Sequence, residues 1–218
     1  MEKYLNLVLV LGAAYVLGSV PTGLWIGLVF FKKDIRTSGS GNIGATNTLR
    51  ALGTVPGIIA LSIDMLKGAS AVFLAGQVAG LSLHSPADAT IILPLLKISA
   101  GVLAVAGHNW SLFLKFKGGK GVATSCGVFL MLTPVPTTMA LAVFIIVLVT
   151  SRYVSVASMT AALSLPAAIY WRIQGDERLM LLAISLFMAI LIIIRHRSNL
   201  VRLFHGEEPK IDRKVDDT

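Results

Sequence analysis

The sequence predicts an all-α integral membrane protein with about seven transmembrane helices. Of its 218 residues, 55% are hydrophobic and only 14% are charged, and long apolar runs alternate with short polar segments. A soluble domain has nearer a quarter charged residues. A net charge of +8 would suggest nucleic acid for a soluble chain, but in a membrane protein basic residues that collect on the cytosolic side explain it. We therefore expect the lipid bilayer as a partner, and no nucleic acid.

Seven apolar segments predict the transmembrane helices, since about 20 residues of helix cross a bilayer. They are residues 4–31, 55–81, 91–113, the two halves of 122–150, 154–171 and 179–194. Pro134 and Pro136 lie in the middle of 122–150, which can therefore be one kinked span or a hairpin of two short helices. The hairpin is favoured because it returns Arg152 to the side that carries most of the other basic residues.

The first apolar segment is interrupted by the sequence GSVPTG at residues 18–23. A proline flanked by glycines predicts a kink that frees backbone carbonyls inside the protein. The segment is too long for a cleaved signal, and no small-x-small cleavage site follows it. We therefore expect it to be the first transmembrane helix. The single cysteine, Cys126, excludes an intrachain disulfide.

Basic residues mark one side of the predicted bundle as cytosolic, with the N-terminus outside and the C-terminus inside. Fourteen of the 19 basic residues fall at these ends: Lys32, Lys33, Arg36, Arg50, Lys115, Lys117, Lys120, Arg152, Arg195, Arg197, Arg202, Lys210, Arg213 and Lys214. The loop around His84 has no Lys or Arg and is expected outside. We expect one membrane domain over residues 1–206 and a polar, partly disordered cytosolic tail over residues 207–218.

Two glycine-rich cationic motifs lie on the predicted cytosolic side, with short or broken helices around them. Residues 38–50 read SGSGNIGATNTLR and contain no carboxylate. Residues 116–124 read FKGGKGVAT, with Lys115 just before them. Glycines allow backbone N–H groups to turn toward a ligand, short polar side chains add donors, and the Arg50 guanidinium fits a phosphate. The first motif alone could be a flexible connector, but two such motifs predict a site for an anion.

Two further groups of residues have less specific patterns. Asp64 and Lys67 stand three apart on one helical face, where they form either a structural ion pair or part of a wet cavity, and a functional role for Lys67 is left open. Residues 195–202 read RHRSNLVR. If the helix continues through them, His196, Asn199 and Arg202 share a face that could close over the two motifs. Alternatively, they interact with the helix dipole and lipid headgroups.

Several activities are excluded by the pattern. An acyltransferase of the HxxxxD type needs an Asp five residues after a His, but His108 is followed there by Phe113 and His196 by Val201. Asp64 is the only mid-membrane carboxylate, so we expect no metal site and no cofactor. The GGKG sequence lacks the full GxxxxGK[ST] phosphate-binding pattern, which argues against ATP hydrolysis. A transporter for a phosphorylated solute remains the alternative class, although the chain is small and has no internal repeat.

The chain resembles the acyl-phosphate:glycerol-3-phosphate acyltransferases of bacteria, the PlsY family, over nearly its whole length. The matching sequences are GSVPTG at 18–23, SGNIGATNTLR at 40–50, DMLKG at 64–68, GHNWSLFLKFKGGKGVAT at 107–124 and RHRSNLVRLFHGEE at 195–208. The resemblance implies transfer of a fatty acyl group from acyl phosphate to the 1-hydroxyl of sn-glycerol 3-phosphate, giving lysophosphatidate and inorganic phosphate. It implies a multi-pass protein of the bacterial inner membrane with a cytosolic active site, and the soluble enzyme that makes acyl phosphate as a partner.

The candidate site consists of residues in the matched motifs together with Ser155. The expected catalytic residues are Ser40, Arg50, Lys120, His196 and Asn199. The expected substrate-binding residues are Gly41, Asn42, Gly44, Thr46, Asn47, Lys67, His108, Asn109, Gly118, Gly119, Gly121, Ser155 and Arg202. Both implied substrates carry phosphate, so the cations are expected to hold two anions side by side, with the amide groups of Gly118 and Gly119 completing the cradle.

The base that deprotonates the attacking hydroxyl is left open between two mechanisms. His108 and His196 are the only histidines in the matched motifs, and neighbouring positive charges would keep a histidine neutral. Apart from Glu207 and Glu208, which lie far along the expected tail, the motifs offer no suitable carboxylate. A phosphate oxygen of the substrate can instead take the proton, and this mechanism is favoured, with His196 and Asn199 orienting the substrate.

Overall fold

The computed structural model describes residues 2–83 and 85–211, and in these ranges it contains ten α-helices and two 3-10 turns. The helices are α1 Glu2–Ser19, α2 Thr22–Phe30, α3 Ala45–Leu52, α4 Thr54–Ser82, α5 Pro86–Asn109, α6 Val122–Leu132, α7 Pro134–Ser151, α8 Val154–Arg172, α9 Glu177–Arg195 and α10 Arg197–Phe204. The 3-10 turns are Ile35–Thr37 and Leu112–Leu114. His84 and residues 212–218, which include part of the expected tail, lie outside the described residues.

The predicted all-α class is confirmed, and the apolar helices are those of an integral membrane protein. Within the described residues, five helical segments are long and apolar enough to cross a bilayer: Thr54–Ser82, Thr90–Leu114, Pro134–Ser151, Val154–Arg172 and Glu177–Arg195. The bent pair α1 and α2 would make a sixth. Since α6 has 11 residues and is only about 16 Å long, it is shorter than a bilayer's hydrocarbon core. Seven spans therefore stay a prediction.

Both predicted interruptions of the apolar segments are present. Helix α1 ends at Ser19 and α2 begins at Thr22, with a bend of 50° between them. The proline-containing segment 122–150 is divided at Thr133, where α6 ends and α7 begins. Whether these two helices form a hairpin or one kinked span stays a prediction.

The chain divides into two compact units, Met1–Leu132 and Thr133–Thr218. In the first unit, α1, α4 and α5 pack through a core rich in alanine, which includes Ala14, Ala71, Ala75, Ala100 and Ala104. Glycines permit closer approach still, because a Cβ added at Gly18 or Gly68 would collide with the backbone of the facing helix. Small residues at helix contacts are typical of membrane bundles. They bring α1 close to α5 and α4 close to α6.

In the second unit, α8 lies between α7 and α9 in the packing order. Buried side chains such as Ile169, Leu181 and Met188 form its core. The chain after α10 turns at Gly206, which has a φ of 71°. It then returns along the unit, and Ile211 N donates to Arg152 O over 3.0 Å.

Candidate functional site

The break between α1 and α2 leaves carbonyl groups that other elements satisfy. Val20 O accepts from Thr22 N over 3.0 Å and also from the Lys67 ammonium. Ser19 O accepts from Ser111 Oγ over 2.5 Å. The prediction that the proline frees backbone carbonyls inside the protein is thus confirmed, and side chains from α4 and from the chain after α5 hold the bend in place.

Asp64 is the centre of a buried polar cluster that joins α2, α4 and α5. Its Oδ1 accepts from Lys67 Nζ over 2.6 Å and from Thr22 Oγ1 over 2.9 Å, and it lies 3.9 Å from His108 Nδ1. The Asp64 and Lys67 side chains are only 2% and 3% exposed. A buried charge needs such partners because losing hydration costs several kcal/mol per ion. The expected ion pair is therefore present, and a functional role for Lys67 stays a prediction.

The first motif is a loop only as far as Gly44, because α3 begins at Ala45. In the loop, Gly39 and Gly41 have φ values of 59° and 66°, which favour glycine. The Asn42 side chain accepts from Gly44 N over 2.9 Å and closes a turn before the helix. The six remaining residues of the motif, 45–50, which include Thr46 and Arg50, therefore project from a helix rather than from a flexible segment.

Asn47 holds the loop together through its buried amide group. Its Oδ1 accepts from Ser40 N over 2.8 Å and from Ser40 Oγ over 3.3 Å, and its Nδ2 donates to Ile35 O over 2.7 Å. The side chain is 1% exposed. Asn47 thereby fixes the position of Ser40, which is itself half-buried. This arrangement makes Asn47 a positioning residue for the expected catalytic serine.

Arg50 follows Asn47 by three residues on α3, so the two side chains leave neighbouring positions of one helix face. Arg50 is half-buried, and its Nε atom is completely buried. A guanidinium that is partly withdrawn from water interacts more strongly with an anion than a surface arginine does. Thr46, one turn before Arg50, is also half-buried.

The second motif folds against the end of α5. Gly118 N donates to Asn109 O over 3.1 Å, and Gly119 N donates to His108 O over 2.9 Å. The prediction that these two amide groups point at a phosphate is therefore wrong, because both are used to cap the last carbonyls of α5. Sequence reasoning missed this cap because the partners lie about ten residues away. Lys120 follows directly and is half-buried.

His108 lies beneath the second motif and is 6% exposed. A Cβ added at Gly119 would collide with its imidazole, and one added at Gly121 would lie 2.8 Å from Asn109 Oδ1. Gly121 also has a φ of 78°. The glycines of the second motif are thus required by close packing on His108 and Asn109, and this packing sets the position of Lys120.

In the second unit, the buried carboxylate of Glu208 accepts hydrogen bonds from three of the other expected residues. Glu208 Oε1 accepts from Ser155 Oγ over 2.8 Å and from Asn199 Nδ2 over 2.6 Å, and Oε2 accepts from Arg202 Nε over 2.9 Å. Its side chain is 4% exposed. Glu208 lies in the segment expected to be a polar tail, yet its side chain contacts α8 and α10. The sequence feature that pointed to a structural role for Glu208 is its position at the end of the matched sequence RHRSNLVRLFHGEE.

The electrostatics of Glu208 follow from these contacts. Burial by itself would raise the pKa of Glu208, but the hydrogen bonds from Asn199, Ser155 and Arg202 outweigh it and lower the pKa below its usual value. Glu208 is therefore ionised at neutral pH. In the first unit, the hydrogen bond from Arg36 lowers the pKa of Asp34, which precedes the first motif.

His196 stands between α9 and α10, where the helix is interrupted. The condition that one helix continues unbroken through residues 195–202 is therefore not met. His196 is 3% exposed, and its Nδ1 lies 2.8 Å from Ile192 O. Because a carbonyl oxygen only accepts, Nδ1 carries a proton in this contact, and Nε2 is an acceptor whenever the ring is neutral.

The expected site residues thus fall into two groups. Those of the first unit lie on or just before α3, on α4, at the end of α5 and in the α5–α6 connection: Ser40, Gly41, Asn42, Gly44, Thr46, Asn47, Arg50, Lys67, His108, Asn109, Gly118, Gly119, Lys120 and Gly121. Those of the second unit are Ser155, His196, Asn199 and Arg202. A single site that uses both groups stays a prediction.

Together these features define an all-helical integral membrane protein with cationic, glycine-rich motifs at helix ends, of a kind suited to anionic ligands. A family model described as glycerol-3-phosphate acyltransferase matches residues 8–206. The glycerol-3-phosphate acyltransferase of Listeria monocytogenes serotype 4a (strain HCC23) is 44% identical over 207 residues, covering 95% of this chain and 98% of the relative. That of Staphylococcus carnosus (strain TM300) is 43% identical over 210 residues, covering 94% and 98%.

Two crystal structures are also similar to this chain. Both are of PlsY (YgiH), an integral membrane glycerol 3-phosphate acyltransferase, one in the glycerol 3-phosphate form and one in the lysophosphatidic acid form. Their TM-scores are 0.80 and 0.78, at 32% identity and with 94% of each chain covered. This chain therefore belongs to the glycerol-3-phosphate acyltransferase family.

Proposed function

We propose that this protein transfers a fatty acyl group from acyl phosphate to the 1-hydroxyl of sn-glycerol 3-phosphate, giving lysophosphatidate and inorganic phosphate. Family membership supports a glycerol-3-phosphate acyltransferase. The observation that carries the proposal is the pair of carboxylate-free motifs, in which half-buried Arg50 and Lys120 lie on rigidly held elements of one unit. The acyl phosphate donor rests on the sequence resemblance and on the absence of an HxxxxD motif.

The proposed roles follow from charge and donor type. Arg50 and Lys120 bind the phosphate groups of the two substrates and offset their mutual repulsion. Ser40, held by Asn47, and Thr46 donate to phosphate oxygens. In the second unit, His196 and Asn199 orient substrate, while Ser155 and Arg202 fix the Glu208 carboxylate that holds Asn199.

The reaction needs no group beyond the two substrates and these side chains. The 1-hydroxyl oxygen of glycerol 3-phosphate attacks the acyl carbonyl carbon. The bond from this carbon to the bridging phosphate oxygen then breaks, and phosphate leaves with the electron pair. The hydroxyl proton passes to a phosphate oxygen of the substrate, whose second pKa is near 6. The cations stabilise the negative charge that develops on the carbonyl oxygen.

His196 is the competing base. Its Nδ1 proton is held by Ile192 O, which leaves Nε2 able to accept a proton from a hydroxyl group. We favour the substrate phosphate because its second pKa is near 6, so that one of its oxygens can accept the proton at neutral pH without a protein base.

We propose that the protein is located in the bacterial inner membrane and crosses it seven times. The N-terminus would lie outside, and the motifs and C-terminus would face the cytosol. The concentration of basic residues at the motif ends supports this orientation. A cytosolic site would receive glycerol 3-phosphate from solution, and acyl phosphate from the soluble enzyme that makes it.

A direct assay tests the proposed function. Purified protein in detergent should convert palmitoyl phosphate and glycerol 3-phosphate to lysophosphatidate and inorganic phosphate in equal amounts, without added metal and in the presence of EDTA. Palmitoyl-CoA should not replace the acyl phosphate. Robust turnover with palmitoyl-CoA, or no lysophosphatidate from palmitoyl phosphate, would contradict the assigned donor.

A further inference from the structure

Residues 112–117, which we call the aromatic–lysine loop, connect the end of α5 to the second motif and expose a large apolar surface. Leu112, Phe113 and Phe116 are 50%, 46% and 59% exposed. Lys115 and Lys117 alternate with Phe116 and are also exposed. A short loop that presents both large apolar groups and cations is unusual for a segment surrounded by water.

The aromatic–lysine loop is firmly held. Leu114 N and Phe116 N donate to Ser111 O over 3.1 and 2.9 Å, and Lys117 N donates to Leu114 O over 3.0 Å. Leu114 packs inward against the buried cluster of Leu24, Ile35 and Ile43. The exposed side chains on either side of Leu114 are therefore displayed by a fixed turn.

The backbone of this turn adopts a conformation that bulky residues avoid. Lys115 and Phe116 have φ values of 51° and 62°, in the left-handed region. For a residue as large as phenylalanine this is an outlier, and such outliers concentrate at functional sites. The fold thus keeps Phe116 exposed between two lysines where a glycine would relieve the strain.

The surface continues onto α2 through a contact between two aromatic rings. The rings of Trp25 and Phe113 meet edge to face with their centroids 5.5 Å apart. Beyond Trp25, the end of α2 exposes Phe30 and Phe31 at 76% and 47%, and Lys32 follows them. Apolar rings and lysines are therefore interleaved over both elements.

Neither water nor hydrocarbon suits this surface. Leu112, Phe113 and Phe116 would be unfavourable in water. Lys115, Lys117 and the non-helical backbone of the loop would be unfavourable in the hydrocarbon core, where each polar group needs a partner. The headgroup region satisfies both, because rings enter the acyl boundary while ammonium groups meet phosphates.

We propose that the aromatic–lysine loop is a docking surface for anionic phospholipids of the surrounding bilayer. Lys115 and Lys117 bind the headgroup phosphates, and Phe113 and Phe116 anchor the loop at the level of the upper acyl chains. Lys117 directly precedes Gly118, whose amide group caps α5, so the bound lipid supports the turn from which the second motif begins. This inference does not depend on the proposed reaction.

The depth of the loop tests its position. In a Cys126→Ser background, Phe116→Cys would carry an environment-sensitive fluorophore in vesicles of phosphatidylcholine and phosphatidylglycerol. Ile146→Cys, on the 63%-exposed lipid-type face of α7, and the exposed Glu207→Cys serve as deep and aqueous references. Quenching of the probe at position 116 should be strongest with a spin label on the upper part of the acyl chain, just below the headgroup. The proposal would be overturned if iodide quenched the probe at position 116 as strongly as the probe at position 207. It would also be overturned if the spin label that quenches it most lay as deep in the bilayer as for the probe at position 146.

A preference for anionic lipid tests whether Lys115 and Lys117 bind the headgroup phosphates. At equal mole fraction, spin-labelled phosphatidylglycerol should quench the Phe116→Cys probe several-fold more than spin-labelled phosphatidylcholine, since each lysine near an anionic surface attracts it. The ratio should fall to about one in Lys115→Gln/Lys117→Gln and in high salt. Lys210→Gln, which removes an exposed cation stacked on Tyr153, should leave the ratio unchanged. A ratio of one in the unmodified loop, or an unchanged ratio in the double variant, would overturn headgroup docking.

Discussion

Arg50 and Lys120 are the cations that the proposed function requires. Arg50→Ala and Lys120→Met should each lower kcat/KM by on the order of a hundredfold or more, because a partly buried cation that binds phosphate contributes a few kcal/mol. Both variants should still purify as folded protein. Steady-state kinetics with palmitoyl phosphate and glycerol 3-phosphate measure the effect.

Arg36 offers a matched control for this experiment. It lies just before the first motif, but it is exposed and pairs with Asp34 over 2.6 Å. Arg36→Ala should therefore stay within a few-fold of the unmodified enzyme, as expected for a surface ion pair. Near-normal kinetics in Arg50→Ala would remove the first motif from the active site.

Single substitutions also distinguish a histidine base from the substrate phosphate. Asn can keep one hydrogen bond of a histidine but cannot take up a proton. His196→Asn and His108→Asn should each retain measurable activity, and the acidic limb of the pH–rate profile should survive in both. If the limb disappears in one variant and its kcat falls about a thousandfold at unchanged KM, that histidine is the base.

At the scale of elements, the α5–α6 connection depends on two adjacent glycines with different neighbours. A Cβ at Gly118 would collide with the backbone carbonyl of His108, which cannot move aside, whereas one at Gly119 would meet only the His108 imidazole. Gly118→Ala should therefore lower the melting temperature more, by an overpacking cost of about 1–3 kcal/mol. Gly119→Ala should mainly raise the KM for glycerol 3-phosphate, because it shifts Lys120. Thermal unfolding and kinetics of both variants separate these effects, and the reverse order of stability would refute this packing.

Glu208 links the end of the described chain to α8 and α10 and should make the stability of the second unit depend on pH. Its pKa is lower in the folded protein than its ordinary value near 4.5, so its stabilisation is present above that pH. The stabilisation is lost as the pH falls through the lower folded-state value. At neutral pH, Glu208→Gln should lose about 1–3 kcal/mol of stability, because a neutral amide replaces the acceptor of Arg202.

The matched comparison is Glu207→Gln, which changes an exposed carboxylate next to it. Thermal unfolding between pH 7 and pH 3 should show the deficit of Glu208→Gln shrinking below about pH 4.5, whereas Glu207→Gln should follow the unmodified protein throughout. A deficit that is constant with pH would show that the Glu208 carboxylate contributes no ionic stabilisation.

At the scale of the whole molecule, the proposed orientation can be tested with single cysteines. In a Cys126→Ser background, Ser85→Cys, just before α5, should react with an impermeant maleimide added to intact cells. Ser198→Cys, on α10, should react only after the membrane is opened. This outcome is expected because the ends that collect basic residues face the cytosol. The opposite labelling would reverse the orientation and place the motifs outside.

The amino-acid sequence by itself determined the class of the protein and the location of its chemistry along the chain. Composition predicted a helical membrane protein, and Pro21 and Pro134 marked real helix breaks. Local patterns suffice for these features because hydrophobic length and proline geometry act over a few neighbouring residues. The motifs were found for a similar reason, since glycines and cations without carboxylates are visible in the sequence alone.

Only the tertiary structure decided what each polar group in the motifs contacts. It turned the Gly118 and Gly119 amides toward the end of α5, buried Asn47 as a support for Ser40, and folded Glu208 onto Ser155, 53 residues away. It also placed Asp64 and Lys67 within ion-pair distance of each other. These outcomes depend on which donors and acceptors the packed helices bring within about 3 Å of one another, and sequence spacing does not specify such long-range contacts.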